Sequence, residues 1–198
     1  SNAIHRIAVE ESGSQEAFEK RPTYIHYCEP LSPLISTTDS LNKLVFAAEK
    51  RIPLIFTPCP LAGGTAPVTP AGIIIQAAAE SFMGLTIAQN IQPGLPFIMG
   101  GVLSVMDMSS MILAYGAPEL SLMMAGHTEF AHYAGLPLWQ TGGCTDSKTF
   151  DEQAITEGSL SVFFSALTGG DLCHDVAYTE SAMTGSVFQL TAMDEAIG

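Results

Sequence analysis

Three prolines, Pro53, Pro96 and Pro137, each open a short β-prone run, and they stand 43 and 41 residues apart. The runs are Pro53-Leu-Ile-Phe-Thr57, Pro96-Phe-Ile-Met-Gly100 and Pro137-Leu-Trp-Gln-Thr141. Pro22-Thr-Tyr-Ile-His-Tyr-Cys28 has the same form, and Leu172-Cys-His-Asp-Val176 follows Gly169-Gly170 in place of a proline. A helical pattern lies between consecutive runs. Strands joined by crossovers of this length are parallel, because a parallel connection needs a dozen or more residues. The repeat therefore predicts a β-α chain of about five strands.

Two architectures accept such a chain, an open doubly wound sheet or part of a (β/α)8 barrel. No GxGxxG follows the first run, so the dinucleotide-binding open sheet has no support. Eight units of this length exceed the roughly 250 residues usual for a complete barrel. The fold class expected is α/β, a partial (β/α)8 TIM-type barrel of about five parallel strands with intervening helices. Charged residues make up 14% of the chain, against roughly 25% in an average globular protein. Surfaces that meet the missing part of a barrel account for that.

The helix starts are marked. Ser36 and Asp39 precede a helix over 41–50, and Thr69-Pro70 supplies a cap and a first-turn proline for one to about Asn90. The latter is apolar nearly all round, which predicts burial on both sides. Pro118-Glu119 opens a helix to about Tyr133. Thr149-Phe-Asp-Glu152 has capping-box spacing for a helix to about Leu167.

Net charge is −13, which argues against nucleic acid, whose phosphates demand Lys and Arg. The longest apolar tract, 73–91, is interrupted by Gln76, Glu80, Ser81 and Gln89 and is not expected to span a membrane. Cys28, Cys59, Cys144 and Cys173 have neither disulfide-framework nor zinc-ligand spacing, so reduced thiols, a cytoplasmic setting and no metal site are expected. Ser1-Asn2-Ala3 reads as an expression-tag scar, leaving 4–198 as one domain.

In parallel α/β proteins chemistry sits on the loops that leave the carboxyl ends of the strands. Those positions offer Tyr27 and Glu29, then Cys59 and Gly63-Gly64-Thr65, then Asp107, and then Gly142-Gly143-Cys144-Thr145-Asp146-Ser147-Lys148. The last run contributes His174-Asp175, Tyr178 and Glu180. Lys148 is the one Lys or Arg after Arg51, against 13 acidic residues. Asp151 and Glu152, at helical spacing, are set to neutralise it, with a substrate contact as the second reading. His174 either moves a proton or is a core histidine with a satisfied hydrogen bond. His26 reads as structural, and His5, His127 and His132 carry little signal.

Five segments in order resemble the trimethylamine methyltransferase (MttB-like) family. They are Tyr27-Cys28-Glu29-Pro30-Leu31-Ser32-Pro33, the run from Phe56 to Thr69, and Asp107-Met108 with Tyr115-Gly116-Ala117-Pro118-Glu119. Gly142 to Lys148 with Asp151-Glu152-Gln153 follows, and then His174-Asp175-Val176-Ala177-Tyr178 with Glu180-Ser181 and Gly185-Ser186. The resemblance implies a barrel that passes a methyl group from a methylated amine to the Co(I) of a corrinoid carried by a partner protein. It also implies that this chain resembles the central part of longer members. Family enzymes acting on trimethylamine carry pyrrolysine, and none stands in these 198 positions, so a betaine-like quaternary amine is the other expected substrate.

On that reading Tyr27, Trp139 and Tyr178 pack the ammonium with Glu29 and Glu180 close by. His174 and Asp146 orient the substrate, and Lys148 meets a betaine carboxylate. Gly142, Gly143 and Asp107 face the corrinoid. The alternative function is a non-catalytic module that docks a corrinoid protein or a partner chain. An unrelated lyase on the same barrel is a third reading. Two open strand edges predict a homo-oligomer that covers them.

Overall fold

The computed structural model describes residues 2–181, 184–185 and 187–197. Two helices, α1 (Asn2–Ser12) and α2 (Gln15–Lys20), precede the first strand, β1 (His26–Cys28). The repeat then runs α3 (Thr38–Glu49), β2 (Leu54–Phe56), β3 (Leu61–Ala62), α4 (Pro70–Ile91), β4 (Phe97–Gly100), β5 (Ser104–Asp107) and β6 (Ile112–Ala114). It continues with α5 (Pro118–Tyr133), β7 (Leu138–Thr141), α6 (Glu152–Leu167) and β8 (Leu172–His174). The hairpin β9 (Tyr178–Thr179) and β10 (Thr184–Gly185) leads to α7 (Val187–Ile197).

Strands β1, β2, β4, β7 and β8 form one parallel sheet in that order, the predicted partial barrel. The prolines of the repeat sit just before their strands, where a missing N–H costs no ladder bond. Their carbonyls join the ladder. Pro53 accepts from the His26 amide at 2.8 Å, Pro96 from Leu54 at 3.0 Å and Pro137 from Met99 at 3.0 Å.

The outward side of the sheet carries two clusters of core side chains. Phe18, Leu44, Ile52, Leu54 and Phe56 pack under α1–α3. Met99, Leu120, Met123, Met124 and Leu138 pack under α4 and α5. Truncating one such side chain to alanine costs about 2–5 kcal/mol. Gly84 lets α4 lie directly on β2, since a Cβ there would stand 2.7 Å from the Phe56 ring. The opposite side of the sheet is open, with Tyr27 and Leu172 each 41% exposed.

Several local expectations are corrected. The cap of α3 is Thr37, whose hydroxyl accepts from Ser40 N at 3.2 Å. The cap of α6 is Asp151, not Thr149, because the Asp151 carboxylate reaches Ala154 N at 2.9 Å. The first strand occupies only its last three predicted residues. Helix α4 is not buried all round, for Ile75 on its outer face is 69% exposed. By length and composition α4 could cross a membrane, but here it packs on α3, α5 and the strands. Glu80, in that apolar stretch, is fully buried and ties down the loop after β1, accepting from Ser32 Oγ at 2.8 Å and Leu34 N at 3.0 Å.

A second sheet, β3–β5–β6, was not foreseen. It is built in the loops that follow β2 and β4, and it roofs the rim of the partial barrel.

Candidate functional site

Residues on successive strand ends converge on one cavity of about 470 Å³. Tyr27 and Glu29 come from the end of β1, Cys59 from the loop after β2, and Val102 from the loop after β4. Trp139 lies on β7, His174 and Asp175 at the end of β8, and Tyr178 on β9. Tyr115, just after β6, closes one side. The register explains the grouping, because Trp139 pairs with Leu172 and Thr141 with His174, and alternate residues share a sheet face.

Tyr115, Asp175 and His174 of this lining form a chain of contacts that ends on Thr141, outside the lining. Tyr115 Oη donates to Asp175 Oδ2 at 2.9 Å, and the other Asp175 oxygen meets His174 Nδ1 at 2.9 Å. His174 Nε2 lies 3.0 Å from Thr141 Oγ1. The imidazole also stacks on Trp139, with ring centroids 5.3 Å apart and planes at 26°. Tyr27 Oη donates to Glu29 at 3.2 Å.

Burial pushes the Tyr115 hydroxyl well above its ordinary range, and Asp175 adds to it. Burial does the same to Tyr27, with Cys59 and Glu29 contributing. The Cys59 thiol is also pushed well up, by burial first and by Glu29 second. These three groups are therefore neutral hydrogen-bonding or apolar surfaces at neutral pH, and among the described residues no Lys or Arg lines the cavity. Trp139 Nε1 is buried without a hydrogen-bond partner among the described residues.

Of the residues singled out from sequence, Tyr27, Glu29, Trp139, His174 and Tyr178 line this cavity. Asp146 does not. Its carboxylate is consumed by Tyr115 N at 2.7 Å, Gly116 N at 2.8 Å and Ser181 Oγ at 3.0 Å, so it shapes the cavity by holding Tyr115. Lys148 lies with Asp107 and Asp146 in a separate concavity of about 240 Å³. It makes no ion pair among the described residues, because Asp151 is occupied capping α6.

Gly142 and Gly143 are buried. A Cβ on Gly142 would stand 3.0 Å from Ser161 O, and one on Gly143 2.9 Å from Val176 Cα. Gly143 also has φ +79°. The Asp107 carboxylate is turned onto Ser109 and Ser110 of its own turn. Glu180 is absent from the cavity lining, and its amide donates to Ser147 O at 2.8 Å. The four Cys do not form a metal cluster among the described residues.

The loop after β8 is held by the segment singled out in the sequence. Gly142 N donates to His174 O at 3.1 Å, Ala177 N to Gly143 O at 2.7 Å and Thr145 N to Tyr178 O at 2.9 Å. Asp175, Ala177, Glu180 and Ser181 all take positive φ there, between 52° and 71°. Such residues persist only where the surroundings over-determine them. Tyr115 lines the cavity without having been singled out at a strand end, Cys59 lines it without having been given a role, and Thr141 touches it only through His174. Tyr115 is hydrogen-bonded to a residue 60 positions away, a distance that no spacing rule spans.

The ordered strand-end segments now have a common address, and they can be matched against known proteins. The model of the trimethylamine methyltransferase (MTTB) family matches residues 4–195. The chain belongs to that family. It is 29% identical over 192 residues to a trimethylamine methyltransferase MttB of Desulfitobacterium hafniense, covering 97% of this chain and 39% of that protein. A glycine betaine methyltransferase of the same species is 30% identical over 187 residues, 94% of this chain and 39% of the relative. A trimethylamine methyltransferase MttB of Methanosarcina barkeri is 29% identical over 178 residues, 90% and 36%. The chain thus spans about two-fifths of the length of these trimethylamine methyltransferase family relatives.

Proposed function

We propose that the cavity between Tyr27 and Tyr178 holds a methylated ammonium and presents one of its methyl groups for transfer. The observation that carries this reading is the lining itself. Aromatic rings and carboxylates surround a space with no cationic side chain, and that is what a quaternary ammonium requires. A cation over an aromatic face gains about 0.5–2 kcal/mol per contact, more when desolvated. The names of the relatives, trimethylamine and glycine betaine methyltransferases, agree with that chemistry.

The reaction asks little acid–base work of the protein. When a methyl leaves a quaternary ammonium, the C–N bond breaks and its electron pair stays on nitrogen as a neutral amine. Catalysis is then positioning. Tyr27, Trp139 and Tyr178 supply the faces, Glu29 supplies charge, and Tyr115 limits the depth. Since no Lys or Arg lines the cavity, substrates without a carboxylate fit better than betaines. Lys148, in its separate concavity, does not serve as a carboxylate partner.

The methyl acceptor in this proposal is the Co(I) of a corrinoid carried by a partner protein, which supplies the nucleophile. Gly142, Gly143 and Asp107 do not fit a corrinoid contact, because the glycines are buried against Ser161 and Val176 and Asp107 is turned onto its own loop. A partner therefore approaches through the mouth of the cavity, and the chain's own part is to bind and orient. The cytoplasm is the setting in which such a protein and its four unpaired thiols would work.

A second reading rests on the sheet edges. Strands β1 and β8 each have one unpaired side, and Leu172 on β8 is 41% exposed. Open edges of this kind template association, so the chain would act as a docking module or a homo-oligomer. The test of the first reading is methyl transfer to free Co(I) cobalamin with trimethylamine, choline and glycine betaine as donors. Demethylation of at least one donor, lost in Trp139→Leu, supports it. Failure to bind or demethylate any of them rejects it.

A further inference from the structure

A second cavity, of about 420 Å³, lies between α5 and α6. Leu122 and Ala125 line it from α5, and Glu157, Leu160 and Phe164 line it from one face of α6. No side chain from Gly158 to Gly170 is charged. Among the described residues Glu157 is accordingly the one charged group in a lining that is otherwise apolar or hydroxylic. Its carboxylate is fixed in place. Oε2 accepts from Thr145 Oγ1 at 2.6 Å and from Asp146 N at 3.1 Å, and Oε1 accepts from Gln153 Nε2 at 2.9 Å. Gly116 makes room for it, since a Cβ there would collide with the Glu157 carboxyl carbon. A carboxylate offers about four acceptor sites, so one remains on Oε1. No ion pair engages Glu157 among the described residues.

We propose that this cleft binds a small amphipathic ammonium ion, whose N–H donates to Glu157 Oε1 and whose apolar tail lies between Leu122, Leu160 and Phe164. The volume falls within the roughly 300–1,000 Å³ of ligand clefts, and an apolar lining with one placed polar group is their usual make-up. The carboxylate decides the charge of the ligand. A neutral molecule seated here would take water from Glu157 and return no partner, whereas an ammonium returns a charge-assisted hydrogen bond. The exposed Leu122, Leu160 and Phe164 decide that it carries a tail. Because the carboxylate is already held by three donors, little ordering is left for binding to impose. A quaternary ammonium has no N–H to give, so this cleft and the strand-end cavity select different amines. Tyr115 belongs to both linings, and Asp146 bonds both Glu157 and Tyr115, so the two sites share a wall. The assignment of the cleft does not rest on the methylated-ammonium reading of its neighbour.

Methyl-resolved NMR titration of the 198-residue chain with phenethylammonium tests this. The Ala117, Ala125 and Leu160 methyl signals should shift saturably. The neutral analogue 2-phenylethanol should bind at least about tenfold more weakly, as should phenethylammonium to Glu157→Gln. Glutamine keeps an acceptor for Thr145 and Asp146, and a thermal melt checks that the variant is folded. Ser121→Phe fills the cleft without touching the bonds of Glu157, and it should abolish the methyl response. Excess choline, which lacks both the N–H and the tail, should not displace phenethylammonium from these signals. No saturable shift, equal affinity for the neutral alcohol, or unchanged affinity in either folded variant overturns the proposal. So does displacement by choline, or a response confined to the strand-end cavity. Choline's own effect on the Trp139 indole signal reports separately on that cavity, so either site can fail while the other stands.

Discussion

Glu29 and His127 sit at opposite extremes of environment, and each carries a prediction at the scale of one residue. Glu29 faces the cavity and accepts from the Tyr27 hydroxyl at 3.2 Å. Glu29→Gln keeps the shape and removes the charge. It should weaken tetramethylammonium binding about tenfold, roughly 1.4 kcal/mol, measured by calorimetry, and leave thermal stability nearly unchanged.

His127 is fully buried, with Nε2 on the Gly100 carbonyl at 3.2 Å. Burial lowers its pKa from 6.5 to about 4. The unfolded chain therefore binds the proton first as pH falls, and stability is lost between those two values. The loss is at most about 3 kcal/mol once both are passed. Urea unfolding at a series of pH values checks this, and His127→Gln should flatten the dependence in that window. His127 gave no sign of this in the sequence, where a histidine on a helix looks the same buried or exposed.

At the scale of elements, the strands and their connecting helices were legible because each signal was local. A proline, an apolar run of four or five residues and a cap recur at a regular interval. The β3–β5–β6 sheet was not legible, since Leu61–Ala62 is too short to show alternation and Ser104–Asp107 lies directly behind β4. The site was half legible. Strand ends located Tyr27, Glu29, Trp139, His174 and Tyr178, while Asp146 is turned away by hydrogen bonds that spacing does not reveal and Lys148 lies in a separate concavity.

The α6 start illustrates the difference. Asp151 bonds Ala154 N, Ser147 Oγ and Thr149 Oγ1, so Asp151→Ala should cost about 1–2 kcal/mol in chemical denaturation. Thr149→Val should cost a few tenths. Gly143→Ala combines a positive φ with a 2.9 Å approach to Val176, and should cost about 1–3 kcal/mol and disorder the loop carrying Asp175.

Over the whole molecule, five parallel strands with helices on one side leave the inner face and both edges open. Large apolar side chains such as Leu122, Leu160, Phe163 and Leu167 are more than half exposed on α5 and α6. The chain should therefore associate, and light scattering should give a mass above 20.9 kDa; a stable monomer at high concentration would contradict this. Association and substrate binding are separable, because the cavity is lined within one chain.

The central claim is that this cavity recognises a methylated cation. Its most direct test is calorimetric titration of the chain with choline and with 3,3-dimethylbutan-1-ol, which has the same shape but carries carbon in place of the charged nitrogen. The account predicts saturable choline binding, at least about tenfold tighter than the neutral alcohol, and its loss in Trp139→Leu. Equal affinities for the two compounds, or no saturable heat with choline, would contradict it.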